Sequence, residues 1–318
     1  LIIGTLIIHQ QLDFIRQKKL GYDKSNVFSI PLHNMQQHND AVRTELLKQP
    51  GVLDITTAGR SILNVPGATL DVDWDGKDPD LSYFIHAVGV DRNFISFFKI
   101  PLVGGAGFTG SKTDSAHFVL NETAVKEAGI KNPVGKRLRL GRTTGTIIGV
   151  VKDFHFASLK QKIQPFVFYY QPENERMFIK TTGRDAPVAI HAVLSLYKQY
   201  NPAFPFDYTF MDDSYDKMYK SDQRTGLLFT LFAIVAIVIS CLGLFGLATY
   251  TAQVRVKEIG IRKVLGASAA AITTLLSRDF LSLVMLSILI ATPIAWWAMN
   301  KWLMDFAYHA SISWWIFA

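Results

Sequence analysis

The sequence predicts a membrane protein in which transmembrane α-helices carry an extracytoplasmic mixed α/β domain of two subdomains. Three observations predict it. Residues 226–250, GLLFTLFAIVAIVISCLGLFGLATY, run 25 positions without a charge. A helix rising 1.5 Å per residue needs about 20 such positions to cross a bilayer core, and residues 280–299, FLSLVMLSILIATPIAWWAM, supply 20 more. Third, the stretch before residue 225 alternates short strand-like runs with amphipathic helical segments, bounded by Gly, Pro and Asp turns.

The elements follow in order. LIIGTLII (1–8) reads as the end of one span, with residues 1–12 in the membrane. A signal peptide fits less well, because no basic region precedes the run and no small-residue cleavage site follows it. Residues 13–222 form the outer domain. DAVRTELLKQPG (40–51) reads as a helix closed by Pro50-Gly51, with Val42, Leu46 and Leu47 on one face. VLDITTA (52–58), LDVDW (70–74) and LSYFIHAVGV (81–90) read as strands, the last two joined by the turn-rich DGKDPD.

NETAVKEAGI (121–130) is a helix with Asn121 as its N-cap. GKRLRLGRTTGTIIGVVKDFHF (135–156) reads as a two-stranded hairpin around Gly141–Gly145. Strands at 166–170 and 176–182, a helix from Pro187 to Tyr200 and a strand at 206–210 complete the domain. The second subdomain is expected as an insert at about residues 112–172. A polar helix, 211–224, then passes into the first full span with neither Gly nor Pro before Gly226.

The spans are expected at 223–250 and 278–300, separated by residues 251–277 and followed by a loop at 301–310. Pro293 is tolerable there, since neighbouring helices satisfy the carbonyl it frees. SISWWIFA (311–318) reads as the start of a final, truncated span, so the chain would begin within one span and end within another.

Composition narrows the function. Hydrophobic residues make up 49% of the chain and charged ones 19%. The net charge of +7 is dispersed, and no dense basic face interleaved with aromatics supports nucleic-acid binding. The one cysteine, Cys241, lies inside the first full span, which leaves no disulfide within the chain and suits a small apolar packing residue.

Orientation follows from the positive charges. Residues 251–277 hold Arg255, Lys257, Arg262 and Lys263 against Glu258, whereas 301–310 holds only Lys301 and Asp305. Short loops rich in Lys and Arg stay cytoplasmic, so 251–277 is expected inside and the large domain outside. Within VRVKEIGIRKVLGAS (254–268), Val254, Ile261 and Leu265 form a narrow apolar stripe on a helical wheel. Arg255, Glu258 and Arg262 lie beside it, with Glu258 and Arg262 at pairing distance. Such a helix would rest on the inner membrane surface and offer its charges to a cytosolic partner. A charged topology anchor with no partner fits the same composition.

VRVKEIGIRKVLGAS, followed by the second span, resembles the MacB/FtsX-type ABC transporter permease family, and the core of the likeness is EIGIRK (258–263) with Gly266-Ala267. GKDPD (76–80), FVLNETAVKEAG (118–129), NPVGKRL (132–138) and GTIIGVVKDFHFASL (145–159) resemble the periplasmic core domain of that family, Bacteroidetes-like tandem members in particular. The likeness spans nearly the whole chain and matches the second half of a tandem permease. It implies that 254–268 is a coupling helix on a separate cytosolic ABC ATPase. Arg255, Lys257, Glu258, Ile259, Gly260, Ile261, Arg262, Lys263, Gly266 and Ala267 would form the contact, the glycines allowing close approach or ending the helix. It further implies an inner-membrane location, a second permease copy, a lipid bilayer and a periplasmic adaptor as partners. No cofactor is expected in the chain itself, since ATP would be bound by the partner subunit.

Other signals carry less. DVDWDGKDPDLS (71–82) places Asp71, Asp73 and Asp75 as a calcium loop would, but Ser82 stands where a bidentate Glu is needed. Asp153 and His155 in DFHF have no nucleophile motif beside them. His33 and His38, five apart, lack a third ligand, and VGGAGFTG (103–110) lacks the Lys and Ser/Thr of a phosphate loop, so it reads as a turn. A permease driven by a separate ATPase, exporting or releasing an amphipathic, lipid-like or peptide substrate, is therefore the expected function. The alternative is a signal-transmitting scaffold that regulates a cell-wall hydrolase or senses peptides. No enzyme is expected.

Overall fold

A computed structural model describes residues 2–63, 65 and 67–311. The expected final span, 311–318, lies outside the described residues except for Ser311. The chain divides into two compact units, one of residues 19–219 and one of the residues before and after it.

The first unit is built on a mixed sheet whose strands are β1 (Val27–Pro31), β2 (Val52–Ala58), β3 (Val72–Trp74), β4 (His86–Val90), β5 (Leu102–Gly105), β6 (His117–Asn121), β7 (Arg137–Leu140), β8 (Thr143–Val151), β9 (Phe166–Tyr170), β10 (Arg176–Thr181) and β11 (Thr209–Phe210). Their order is β11-β1-β10-β2-β4-β9-β6-β8-β7-β3, with β5 also on β8. Among the described residues only β4–β9 and β6–β8 run parallel.

Two cores follow from strand alternation. On β10, Met177 and Ile179 face a cluster with Phe28, Ile30 and Ile55 on the strands. Helix α2 follows at Asn39–Leu46, the short α3 at Phe94–Phe97, α4 at Glu122–Glu127 and α5 at Ala186–Tyr200. Helices α2 and α5 close the first core with Val42, Leu46, Ala189, Val193 and Tyr197. Phe178, of opposite pleat, instead meets Phe94 and Phe98, beside a nest of Phe154, Phe156, Phe166 and Phe168 that are all essentially buried. Each such ring contributes about 1.5–3 kcal/mol. A further core gathers Val72, Trp74, Tyr83, Ile85, Phe118, Leu138 and Ile147 under Ala124 of α4. It thus draws on residues that precede the insert expected at 112–172.

Several local expectations change. Leu47 falls at the C-cap of α2 and is exposed, because only Val42 and Leu46, four apart, reach the core. The strand expected at 81–90 begins only at His86, and before it only Ile85 makes a bridge, to Thr69. DGKDPD does not join a hairpin: β3 pairs antiparallel with β7, Val72 opposite Leu140. The 206–210 strand shrinks to Thr209–Phe210. VGGAGFTG is no mere turn, since its start forms β5 against β8. There a Cβ on Gly105 would sit 2.1 Å from the Ile148 carbonyl oxygen, and φ is +73°. Close strand approach, not phosphate binding, demands that glycine.

The second unit is helical. Helix α1 covers Ile2–Gln17, α6 Met211–Val254, α7 Val256–Val264 and α8 Ala269–Leu303. The first turns of α6 belong with the sheet unit: Tyr215 and Tyr219 are buried, Lys24 pairs with Asp212, and the Leu159 N–H donates to the Tyr219 hydroxyl at 2.9 Å. The helix passes from there into the apolar segment without a break, as the lack of Gly or Pro before Gly226 leads one to expect, and runs on to Val254.

Candidate functional site

Helix α7 and its flanks hold the ten residues that the resemblance assigns to the ATPase contact. Arg255 stands at the N-cap, where the chain leaves α6, with a non-helical φ of −96° and ψ of 13°. Lys257, Glu258, Ile259, Gly260, Ile261, Arg262 and Lys263 lie within α7, and Gly266 and Ala267 follow it. Glu258 and Arg262 form the expected i,i+4 ion pair, Nη2 to Oε1 at 2.9 Å. Both side chains are more than a third exposed, so the pair contributes only about 0.3–0.5 kcal/mol.

The end of α7 is dictated by its sequence. Gly266 takes φ +91°, a left-handed conformation open to glycine at little cost. Its N–H donates to the Lys263 carbonyl at 3.2 Å, and the Ala267 N–H donates to the Arg262 carbonyl at 3.0 Å. That is the double bond pattern of a glycine C-cap. Ser268 then caps α8, its hydroxyl accepting from the Ala271 N–H at 3.2 Å. LGAS therefore stops one helix and starts the next within four residues.

None of the nine residues of α7 is buried. Val264 is 90% exposed and Leu265 80%, and Val256 and Ile261 are exposed with them. A Cβ on Gly260 would meet nothing within 4 Å. The apolar stripe expected from Val254, Ile261 and Leu265 is corrected here. The break at Arg255 leaves Val254 as the last residue of α6, so Val254 and Ile261 do not share one helix. The exposed apolar residues are instead Val256, Ile261, Val264 and Leu265. Val256 and Val264 fall off the 100°-per-residue stripe, which is why the wheel did not find them.

The helices on either side are long and apolar. Met211–Val254 and Phe280–Leu303 each hold a window suited to crossing a bilayer, and those windows are almost wholly unburied. A core helix of a water-soluble protein would be covered. Helix α1 packs at their far ends from α7: Ile7 meets Leu303 beside Met299 and Trp302, and a Cβ on Gly226 would lie 3.2 Å from Ile8. The buried Gln11 amide fixes the segment after α8, donating to the Tyr308 carbonyl at 3.1 Å and accepting from the Ala310 N–H at 2.8 Å.

In the sheet unit the calcium-like acids serve another end. Arg137 reaches Asp73 at 2.9 Å and Asp75 at 2.7 Å, and Arg139 reaches Asp71 at 2.6 Å. The Arg137 hydrogen bond holds the Asp73 carboxyl below its usual range. Asp153 accepts from the N–H and hydroxyl of Thr123 at the start of α4. His33 stacks on Phe204 at 4.1 Å and His38 lies against Tyr200. Among the described residues no group of three or more His, Cys, Asp or Glu side chains gathers around a point.

Comparison with known proteins agrees with this division. Residues 7–192 match the family described as MacB-like periplasmic core domain, and residues 230–318 match the FtsX-like permease C-terminal. The macrolide export ATP-binding/permease protein MacB of Chromobacterium violaceum is 26% identical over 196 residues, which cover 57% of this chain and 30% of that protein. The periplasmic region of MacB from Actinobacillus actinomycetemcomitans aligns over 64% of this chain and 97% of its own, at 16% identity and a TM-score of 0.45. The extracellular domain of the noncanonic ABC-type transporter YknZ from Gram-positive bacteria aligns over 58% and 100%, at 14% identity and a TM-score of 0.42. Since the first of the two family matches alone takes in more than half of the residues, the chain belongs to the MacB/FtsX-type ABC transporter permease family.

Proposed function

We propose that this chain is a permease subunit that takes up the motion of a separate cytosolic ABC ATPase through α7 and delivers it, along α6, to its sheet domain in the periplasm. The observation that carries the reading is α7 itself. A helix of nine residues that buries nothing within its own chain is too short to be stable alone in water. Its exposed Val256, Ile261, Val264 and Leu265 need a cover, and a membrane surface with an ATPase cleft supplies one. The surrounding charges, Arg255, Lys257, Arg262 and Lys263 against Glu258, favour the cytoplasmic side. The apolar segments of α6 and α8 would then cross the inner membrane, with α1 at the outer side and 301–310 as an outer loop.

In this scheme the chain binds no ATP and performs no catalysis; closure of the ATPase moves α7, and α6 carries that movement as one continuous helix from Val254 back to Met211. Export or release of an amphipathic, lipid-like or peptide substrate follows from reshaping the sheet domain. A second permease copy would cover the apolar faces of α6 and α8, and a periplasmic adaptor would receive the substrate.

The test is ATP hydrolysis by the complex purified through the full chain. Glu258→Lys removes an ion pair of only a few tenths of a kcal/mol from α7, and Gly260→Trp adds a ring where this chain has nothing nearby. Both should leave the fold intact. At a packed partner surface the new ring costs about 1–3 kcal/mol, so the affinity for the ATPase and the stimulation of hydrolysis should drop about tenfold or more. Unchanged stimulation in both variants would reject the assignment.

A further inference from the structure

We infer that the sheet unit holds a binding site for a small acidic group, a carboxylate or phosphate, in the pocket where β1, β2 and β10 end together. The cavity is about 510 Å³ and is lined by Pro31, His33, Gly59, Arg60, Glu175 and Arg176 among others. Arg176 opens β10 with Pro31 opposite it on one side and Ala58 on the other, so the strand register fixes where its side chain starts. Its Nη2 donates to the Ser29 hydroxyl at 3.1 Å, and its buried Nε has no acceptor among the described residues.

A guanidinium answered by one neutral hydroxyl is poorly compensated, because burial penalises its charge and lowers its pKa. Asp207 offsets this only at a distance, without an ion pair. An anion that reaches Arg176 and Arg60 together would supply the missing acceptor. The planar fork of arginine suits two-oxygen groups such as carboxylate and phosphate. Glu175 on the rim opposes this, and it limits the site to groups that approach from the arginine side.

An imidazole ring on the same wall is held in place by its surroundings. His33 has φ +46°, a left-handed conformation uncommon outside glycine. The fully buried Asn201 secures that turn from both flanks, accepting from the Asn34 N–H at 2.9 Å and donating to the Leu32 carbonyl at 3.1 Å. The ring is then stacked flat on Phe204, with 8° between the planes. An uncommon backbone conformation maintained by its surroundings at a pocket wall is the kind of feature that functional sites retain.

This proposal does not depend on the coupling role of α7, and it is tested separately. The full chain in detergent micelles is titrated calorimetrically with inorganic phosphate and, in a second arm, with succinate, at constant ionic strength. Saturable binding of at least one probe is expected, and the preferred probe shows whether the natural group is phosphate or carboxylate. Arg60→Gln and Arg176→Gln should each weaken it about tenfold or more, the value of a charge-assisted hydrogen bond. Arg184→Gln, an exposed arginine beyond the other end of β10, should leave it unchanged. If Arg176→Gln does not fold, Arg60→Gln decides. No saturable binding by either probe up to about 10 mM, unchanged binding in Arg60→Gln, or an equal loss in Arg184→Gln would overturn the site.

Discussion

Asn121 shows how much one side chain fixes. It ends β6 and begins α4: its Oδ1 accepts from the Ala124 N–H and the Phe166 N–H, both at 2.9 Å, and its Nδ2 donates to the Gln164 carbonyl at 3.0 Å. A helix cap and a strand junction therefore share one fully buried amide. Asn121→Ala would leave these groups buried without partners, at about 2–3 kcal/mol, read as a lowered thermal midpoint of the sheet unit. A midpoint within experimental error of the parent would mean that water replaces the amide. The cap was legible in the sequence, since Asn before an amphipathic run is a local signal. The bond to Phe166 was not, because a contact across 45 residues leaves no trace in spacing. The acids of DGKDPD show the same limit. Their number and spacing are visible, but whether they answer a cation or the arginines of β7 depends on strand pairing.

At the scale of elements, legibility followed the range of the interaction. The Glu258–Arg262 pair, the hairpin of β7 and β8, the Pro187 start of α5 and the continuity of α6 are all set within a few residues, and the sequence displayed them. The pairing of β3 with β7 instead of β4 is set across the sheet, and it was missed. The break at Arg255 was missed for a different reason: the helical bonds continue across it, from the Arg255 N–H to Thr251 and from the Ile259 N–H to Arg255, so no breaker residue marks it. Gly266 makes the element-scale prediction. Gly266→Ala forces a side chain into φ +91° and should cost about 1 kcal/mol at that corner alone. Amide hydrogen exchange at Gly266→Ala and Ala267 should accelerate roughly fivefold, with protection in the sheet unit unchanged. Equal protection at Ala267 in both proteins would show that the glycine is not required there.

For the whole molecule, the division of labour rests on orientation. The sheet unit has its own cores, a set of local ion pairs and a pocket fit for acidic groups. The helical unit has long apolar faces left open and a short charged helix that buries none of its nine residues. Two chemistries of this kind in one polypeptide make sense if a membrane separates them, with α7 on the side where an ATPase works and the sheet unit on the other. The apolar spans and the charged segment between them were readable from composition, because charge-free length and lysine-arginine bias are properties of the sequence alone; a coupling role for that segment came only with the family resemblance. The pocket beside Arg176 was not, since it is made by residues 31, 60 and 176 meeting through the sheet. Orientation is tested most directly by single-cysteine labelling in intact cells, on a Cys241→Ala background. Lys263→Cys should react with a membrane-impermeant maleimide only after the inner membrane is opened, and Lys198→Cys, exposed on α5, should react before. Lys263→Cys labelled from outside in closed cells would contradict the account.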